Sequence, residues 1–187
     1  MSDRHQHLRR LLAAHEVSEA ADLAYRDRML QLAAREDAFE RSAFQPGHFT
    51  ASGFVLSPER DALLLIFHRR LQLWAQPGGH VEVSDPDLLS AARREVAEEV
   101  GLSDLLVENE GRIFDLDVHS IPARREEPEH EHFDVRFLFV AATREFRAST
   151  EVAACTWVRL SELDDQVRDA SVRRAASRIR ARTAHQR

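Results

Sequence analysis

Three glutamates in the middle of the chain have the spacing of a cation-binding group. Glu95, Glu98 and Glu99 occupy positions i, i+3 and i+4, which share one face of a helix. Like charges at this spacing repel each other by about 0.2–0.5 kcal/mol, and a bound divalent cation removes that cost. Oxygen ligands suit hard ions such as Mg²⁺ or Mn²⁺, which commonly leave part of their coordination shell to water and substrate phosphates. The spacing therefore predicts a metal site suited to phosphate chemistry.

The segment that must position these glutamates is predicted to be a helix over residues 85–100. Asp85 has the side chain of an N-cap, and Gly101 lies just beyond the end of the pattern. Apolar residues line one face of this helix at four-residue steps: Leu88, Ala92, Val96 and Val100. Gly78 and Gly79 precede the helix, and glycines allow the backbone to approach another group closely. We therefore expect a turn at the glycines and the glutamates on the exposed face.

The stretch GHVEVSDPDLLSAARREVAEEVGL, residues 79–102, resembles the signature box of the Nudix hydrolases. The residues that match the box are Gly79, Arg94, Glu95, Glu98, Glu99 and Gly101. Two positions depart from the pattern. Asp85 stands where the family has an isolated glutamate, and eight residues rather than seven separate it from Arg94.

This resemblance implies an α/β (α+β) fold, a Nudix-type α/β/α sandwich with a mixed central sheet and an N-terminal helical extension. It also implies metal-dependent hydrolysis of a diphosphate linkage in a nucleoside diphosphate derivative, by attack of water at phosphorus. Glu95, Glu98 and Glu99 would then bind Mg²⁺ or Mn²⁺, and Arg94 would orient a glutamate through an ion pair. The general base is Glu98 or an acid from the loop after Ile121.

Two other functions are compatible with this architecture. A non-catalytic Nudix-like sensor would bind a nucleotide without hydrolysing it, but loss of the helix glutamates would be its sign, and all three are present. Isopentenyl diphosphate isomerases resemble this architecture too, but they rely on a cysteine beside the box. The only cysteine, Cys155, lies far along the chain in a predicted strand, which disfavours that interpretation.

The loop over residues 121–134 is rich in acids and histidines. On a strand beginning here, His130, His132 and Asp134 would point the same way. They are either a second metal or phosphate-contact group near the box, or part of a solvated acidic loop, and the sequence leaves both open.

The cationic residues are all arginines, because the chain has no lysine. Lysine Schiff-base chemistry and a Walker-type phosphate lysine are therefore excluded. A side-chain cation on a substrate phosphate must be arginine or protonated histidine, and guanidinium binds phosphate bidentately. Arg124 and Arg125 are candidates for this contact, along with backbone at Gly78 and Gly79, although exposed loop arginines are commoner.

Charge is distributed unevenly along the chain. Residues 82–134 contain 16 acidic residues against 5 arginines, whereas residues 166–187 contain seven arginines and one acid. The basic segment has no aromatic residue for base stacking, so we expect a solvated helix rather than a nucleic-acid partner. A single cysteine and the lack of an apolar run of membrane-spanning length indicate a cytoplasmic protein without a membrane partner.

Three segments are expected along the chain: a helical N-terminal arm over residues 1–43, a Nudix core over 44–165, and a basic C-terminal helix over 166–187 that either packs on the core or trails from it. The arm either covers the sheet or forms a homodimer. Within and after the core, strands are predicted at residues 49–56, 62–68, 110–119, 132–141 and 153–158, with helix from Leu160 onward.

Overall fold

Eight strands in the described part of the chain form one mixed sheet, with helices packed on both faces. The structure is a computed structural model that describes residues 2–17, 20–68, 72–124, 127–150 and 152–185. The elements in chain order are α1 (Asp3–Ala14), α2 (Ala20–Leu32), β1 (Gly47–Leu56), β2 (Ala62–His68), β3 (Leu73–Ala75), β4 (Gly78–His80), α3 (Leu88–Val100), β5 (Leu105–Val107), β6 (Asp115–Ile121), β7 (His130–Ala141), β8 (Cys155–Arg159), α4 (Leu163–Gln166) and α5 (Ala170–His185).

Strand β1 occupies the centre of the sheet, and all ten of its residues are buried. It pairs in parallel with β7, from Gly47 opposite Glu131 to Leu56 opposite Val140. It also pairs antiparallel with β2 and with β4. The β1–β2 pair confirms the hairpin predicted from the sequence. Strands β3 and β8 extend the sheet beside β2, while β5 and β6 pair with β7.

The two faces of β1 belong to two different hydrophobic clusters, because alternate side chains of a strand point to opposite sides. Phe49 and Ala51 pack into the cluster that contains Val96 of α3. Phe54 and Leu56 pack into the cluster that contains Val172 of α5. Helices on both faces of a mixed sheet make the expected α/β sandwich, and the fold class is confirmed.

The N-terminal helices are part of the folded body. Leu8 and Leu12 of α1 and Met29 of α2 are fully buried in the same cluster as Phe49. Arg4 of α1 also donates hydrogen bonds to backbone carbonyls of the loop before α3. The arm therefore supports the segment that leads into the glutamate-bearing helix.

The C-terminal helix α5 differs from the solvated basic helix that the sequence indicated. Its apolar side packs on the sheet, while Arg174 and Arg178 form ion pairs with the buried carboxylate of Asp115. Arg178 also pairs with Asp22 of α2. The solvated interpretation is wrong for these two arginines because their charges are matched by buried carboxylates that lie far away in the sequence.

The predicted ends of two elements also need correction. Helix α3 begins at Leu88 and its N-cap is Asp87, whose side chain accepts from the Ser90 N–H at 2.7 Å, so Asp85 is not the cap. Strand β6 begins at residue 115 rather than 110, because Asn109 and Glu110 have φ angles of 55° and 56° and form a short 3-10 turn. The other end of α3 is as predicted: Gly101 has φ 70°.

Within the described residues, the helices are too short or too polar to cross a lipid bilayer.

Replacing Asp87 by alanine is expected to lower the free energy of unfolding by about 1 kcal/mol, because a backbone N–H of the first turn of α3 loses its acceptor. Urea denaturation monitored by circular dichroism measures the change. Asp104→Ala is the matched control, since it removes the same side chain from an exposed position and should have little effect. Equal losses in the two variants would show that Asp87 does not act as the cap.

Candidate functional site

The candidate site lies where α3 faces strand β4 and the loop that joins them. α3 packs against β1 and β4 through its apolar side. Glu95 and Glu99 lie on the flank of the helix that faces β4, with the Glu95 side chain 15% exposed and that of Glu98 58% exposed. The helix thus presents one half-buried and one accessible carboxylate at the same location.

Arg94 holds the carboxylates of this site in place. Its Nη1 donates to Glu95 Oε1 at 2.9 Å and to Glu98 Oε2 at 3.0 Å. Its Nε and Nη2 donate to the two oxygens of Asp85 at 3.1 and 2.9 Å, and Nη2 also donates to the His80 carbonyl at 2.9 Å. The hydrogen bonds from Arg94 to Asp85 are the main reason that the pKa of Arg94 is raised. The guanidinium therefore stays charged and bridges the helix, β4 and the loop.

Asp85 pairs with this arginine and also closes the loop. Its side chain is 6% exposed, and Oδ2 accepts from the Glu82 N–H at 2.8 Å. Burial alone would raise the pKa of Asp85, but the hydrogen bonds from Arg94 and from the Glu82 backbone outweigh it, and the pKa is lowered. An aspartate in place of the family's glutamate, with one extra residue before Arg94, is thus compatible with an ion pair to Arg94.

The two glycines of β4 let the strand approach both α3 and β1. A Cβ on Gly79 would lie 2.8 Å from the Glu95 carboxylate, and a Cβ on Gly78 would lie 2.7 Å from the Cα of Ser52. The Gly78 N–H donates to Glu99 Oε2 at 3.0 Å. A side chain at residue 79 would intrude on a carboxylate of the site, and one at residue 78 would intrude on the neighbouring strand β1.

The donor atoms of the three glutamates fit a hard cation, because all are carboxylate oxygens on one helix face. The three glutamates do not form a compact cluster of ligand atoms in the structure. Among the described residues, the one group of three ligand atoms within 4.8 Å of each other consists of histidines. Arg94 holds Glu95 and Glu98, while Gly78 binds Glu99. Burial raises the pKa of Glu95, and Arg94 offsets only part of that effect.

The histidines named from the sequence lie on the other side of the sheet from α3. His130 and His132 of β7 approach His48 of β1, with ring centroids 5.2 and 5.0 Å from it. Asp134 does not join them, because Thr50 and Ser52 donate to its carboxylate. The acidic loop is thus followed by a buried histidine layer.

Of the two loop arginines named from the sequence, only Arg124 lies within the described residues. Arg124 is exposed and its backbone pairs with that of Glu127. Arg125 lies outside the described residues.

Cys155 has the properties of an unreactive thiol. It lies in β8 opposite Ile66, and burial, followed by the charge of Glu99, raises its pKa to about 12. A nucleophilic cysteine needs the opposite shift, so the structure gives no support to an isomerase that depends on this residue.

The sequence analysis missed His48 and His80 as members of the histidine layer. Their ring centroids are 5.1 Å apart, and the His80 ring lies 5.2 Å from that of His132. The two-residue spacing of His130 and His132 predicted that these two histidines share a face of their strand. The contact with His48 depends on the parallel register that puts His48 opposite His132, and no local sequence pattern predicts that register.

Comparison with known proteins identifies the same fold. A family model of the NUDIX domain matches residues 47–178. A Nudix-family hydrolase from Clostridium perfringens is 22% identical with a TM-score of 0.54, over 72% of this chain and 97% of that chain. A C. elegans Ap4A hydrolase in a binary complex is 16% identical with a TM-score of 0.55, over 73% and 98%. The NUDIX domain of Shewanella oneidensis NrtR complexed with ADP ribose is 16% identical with a TM-score of 0.55, over 89% and 99%. No curated protein sequence matches significantly.

Alanine at Gly78 is expected to destabilise the protein more than alanine at Gly79. The new methyl group at residue 78 meets the backbone of Ser52, whereas at residue 79 it meets the end of the Glu95 side chain, which can rotate away. We expect a loss of about 1–3 kcal/mol for Gly78→Ala and a smaller loss for Gly79→Ala. Thermal unfolding of the two variants tests the order, and the reverse order would contradict this description of β4.

Asp85→Asn is expected to lower the free energy of unfolding by about 2–3 kcal/mol at pH 7, because Arg94 loses the most buried of its three carboxylate partners. The folded-state pKa of Asp85 is lowered, so its carboxylate contributes stability above the ordinary value of about 4, and this contribution is lost as the pH falls through the folded-state pKa. The difference in free energy of unfolding between the wild type and Asp85→Asn should therefore shrink in acid.

Urea unfolding at a series of pH values measures this difference. Asp104→Asn, at an exposed position, serves as the control. A difference between Asp85→Asn and wild type that is the same at every pH would contradict the ion pair.

Proposed function

This chain belongs to the NUDIX domain family of pyrophosphohydrolases, and we propose that its substrate is a nucleoside diphosphate derivative whose diphosphate linkage it hydrolyses with a divalent cation. The observation that carries the proposal is the set of carboxylates around Arg94 on α3, facing the glycines of β4. These residues lie in the part of the chain that resembles the family's signature box.

Glu95, Glu98 and Glu99 are the residues that would hold the cation, either Mg²⁺ or Mn²⁺. Their oxygens are hard donors, and the contacts described for Glu95 and Glu98 use one carboxylate oxygen each. When bound, such an ion neutralises charge on the diphosphate and lowers the pKa of a coordinated water.

The protein's own residues account for orientation and proton transfer. Hydrolysis forms one bond from the water oxygen to phosphorus and breaks the bridging P–O bond, and the water proton must go to a base. Glu98 suits that role because its carboxylate is the more exposed of the two that Arg94 binds. An acid of the loop after Ile121 remains the alternative base. Arg94 is a positioning residue, since it fixes the direction of both carboxylates.

A cleft beside this site suits the part of the substrate that does not react. It has a volume of about 1100 Å³ and lies between residues 36–44 and residues 81–84. Phe44 provides an apolar surface and Arg41 a cationic one, while Glu82 lines the side nearest to Arg94. Because residues 36–44 follow the N-terminal helices, we infer that the arm contributes to substrate selection.

Glu98→Gln is expected to lower the rate of hydrolysis by about 10²–10⁴-fold, because the variant cannot accept the proton. The assay measures release of nucleoside monophosphate or phosphate from nucleotide sugars, dinucleoside polyphosphates and nucleoside triphosphates with Mg²⁺ or Mn²⁺. Glu110→Gln is the matched control: Glu110 is 80% exposed and pairs with Arg112. Its activity should equal that of the wild type.

The same assay separates hydrolysis from nucleotide sensing. Equal inactivity of wild type and Glu98→Gln across the panel, with nucleotide binding retained in calorimetry, would overturn the proposal in favour of a sensor. A rate in Glu98→Gln equal to that of wild type would instead reject Glu98 as the base and direct attention to the loop.

A further inference from the structure

A group of three histidines lies apart from the carboxylates of α3. His48 comes from β1, and His130 and His132 come from β7. The parallel register puts His48 opposite His132, and His130 lies two residues earlier on the same face. One ligand atom from each residue lies within 4.8 Å of the others. The three side chains therefore form a compact group of nitrogen donors.

Backbone carbonyls determine which ring nitrogens carry protons. His48 Nδ1 lies 3.2 Å from the Ala43 carbonyl oxygen, and His130 Nδ1 lies 2.8 Å from that of Pro128. A carbonyl oxygen only accepts, so Nδ1 is the donor in both rings and Nε2 of each neutral ring holds a lone pair. A ligating histidine usually donates its other ring N–H to such a carbonyl, which fixes the tautomer.

One of these lone pairs has no partner in the described structure. His48 is 1% exposed, and its Nε2 lies buried among the described residues without a hydrogen bond. Burying a polar atom without a hydrogen-bond partner is unfavourable. A metal ion would satisfy this nitrogen, whereas the neighbouring rings do not.

The surroundings of His48 and His132 favour the neutral form that a metal requires. Burial, reinforced by the neighbouring histidines, lowers the pKa of His132 to about 2, and burial also lowers that of His48. These rings are therefore unprotonated at neutral pH, and a cation need not displace protons from them.

We propose that His48, His130 and His132 bind a Zn²⁺ ion. Imidazole nitrogens suit Zn²⁺, which takes them at about 2.0–2.1 Å in tetrahedral geometry. Three ligands then leave a fourth position for water or another group. The carboxylates of α3 suit hard ions instead, so the two sites differ in their preferred metal and lie on opposite faces of the sheet.

The position of the site predicts what the ion would do. It links the start of β1 to the start of β7, and the Phe44 ring, just before β1, lies 5.0 Å from the His130 ring. An ion here would fasten the segment between the N-terminal arm and the sheet. This inference does not depend on the proposed hydrolysis, because its tests use the metal alone.

The test titrates Zn²⁺ into the full-length, tag-free chain after chelator treatment, with calorimetry for affinity and mass spectrometry for stoichiometry. We expect one Zn²⁺ per chain at this site. His130→Gln should weaken binding by at least about 100-fold, since even loss of an outer partner costs about 10–100-fold. His7→Gln, which removes an imidazole from α1, is the matched control and should bind Zn²⁺ as wild type does.

Two further measurements identify the ligands. Co²⁺ in the same site should give the strong visible absorption of tetrahedral nitrogen coordination in wild type and not in His130→Gln, while far-ultraviolet circular dichroism reports whether that variant is folded. If it is unfolded, His132→Gln replaces it. Glu98→Gln should retain the Zn²⁺ affinity and the Co²⁺ spectrum. Absence of Zn²⁺ binding in wild type, equal affinity in folded His130→Gln, or loss of binding in Glu98→Gln would overturn the proposal.

Discussion

The parallel pairing of β1 with β7 is the constraint on which the rest of the structure depends. Because ten consecutive pairs fix the register, every side chain of either strand is assigned to one face. One face receives α3 and with it the glutamates. The opposite face packs against α5 at one end and carries buried polar residues, including the histidines, at its other end. Strand β4 is then placed by its own pairing with β1, which brings Gly79 under Glu95.

Buried charge joins the end of the sheet to the C-terminal helix. Arg136 is 3% exposed and donates to Asp134, Asp115 and Asp117, and Arg174 reaches the last two from α5. Burial would raise the pKa of Asp117, but its hydrogen bond with His119 and the neighbouring arginines lower it to about 2. Arg174 and Arg178 of the basic C-terminal segment thus pair with acidic residues from the middle of the chain inside the fold.

Local signals predicted the elements that carry the box, and they could not predict the pairing that assembles the sheet. The helix, its apolar face and its closing Gly101 follow from spacing within about 20 residues. The sequence does not distinguish Asp85 from Asp87 as the N-cap, because both are capping residues and they lie two positions apart. The ion pair between Asp85 and Arg94 could not be predicted either, because it depends on how the loop folds. His48 could not be joined to His132, since 83 residues lie between them and their contact depends on a parallel register.

Strand β4 places two different sets of possible metal ligands on opposite sides, separated by a single residue. Gly79 faces the carboxylates of α3, and the next side chain, His80, faces the histidine layer. Alternation along the strand therefore puts oxygen donors on one side and nitrogen donors on the other. The His80 carbonyl accepts from Arg94, so any movement of this residue toward a metal on the histidine side would also act on the arginine that orients Glu95 and Glu98. The two faces are thus mechanically connected although their ligands are distinct.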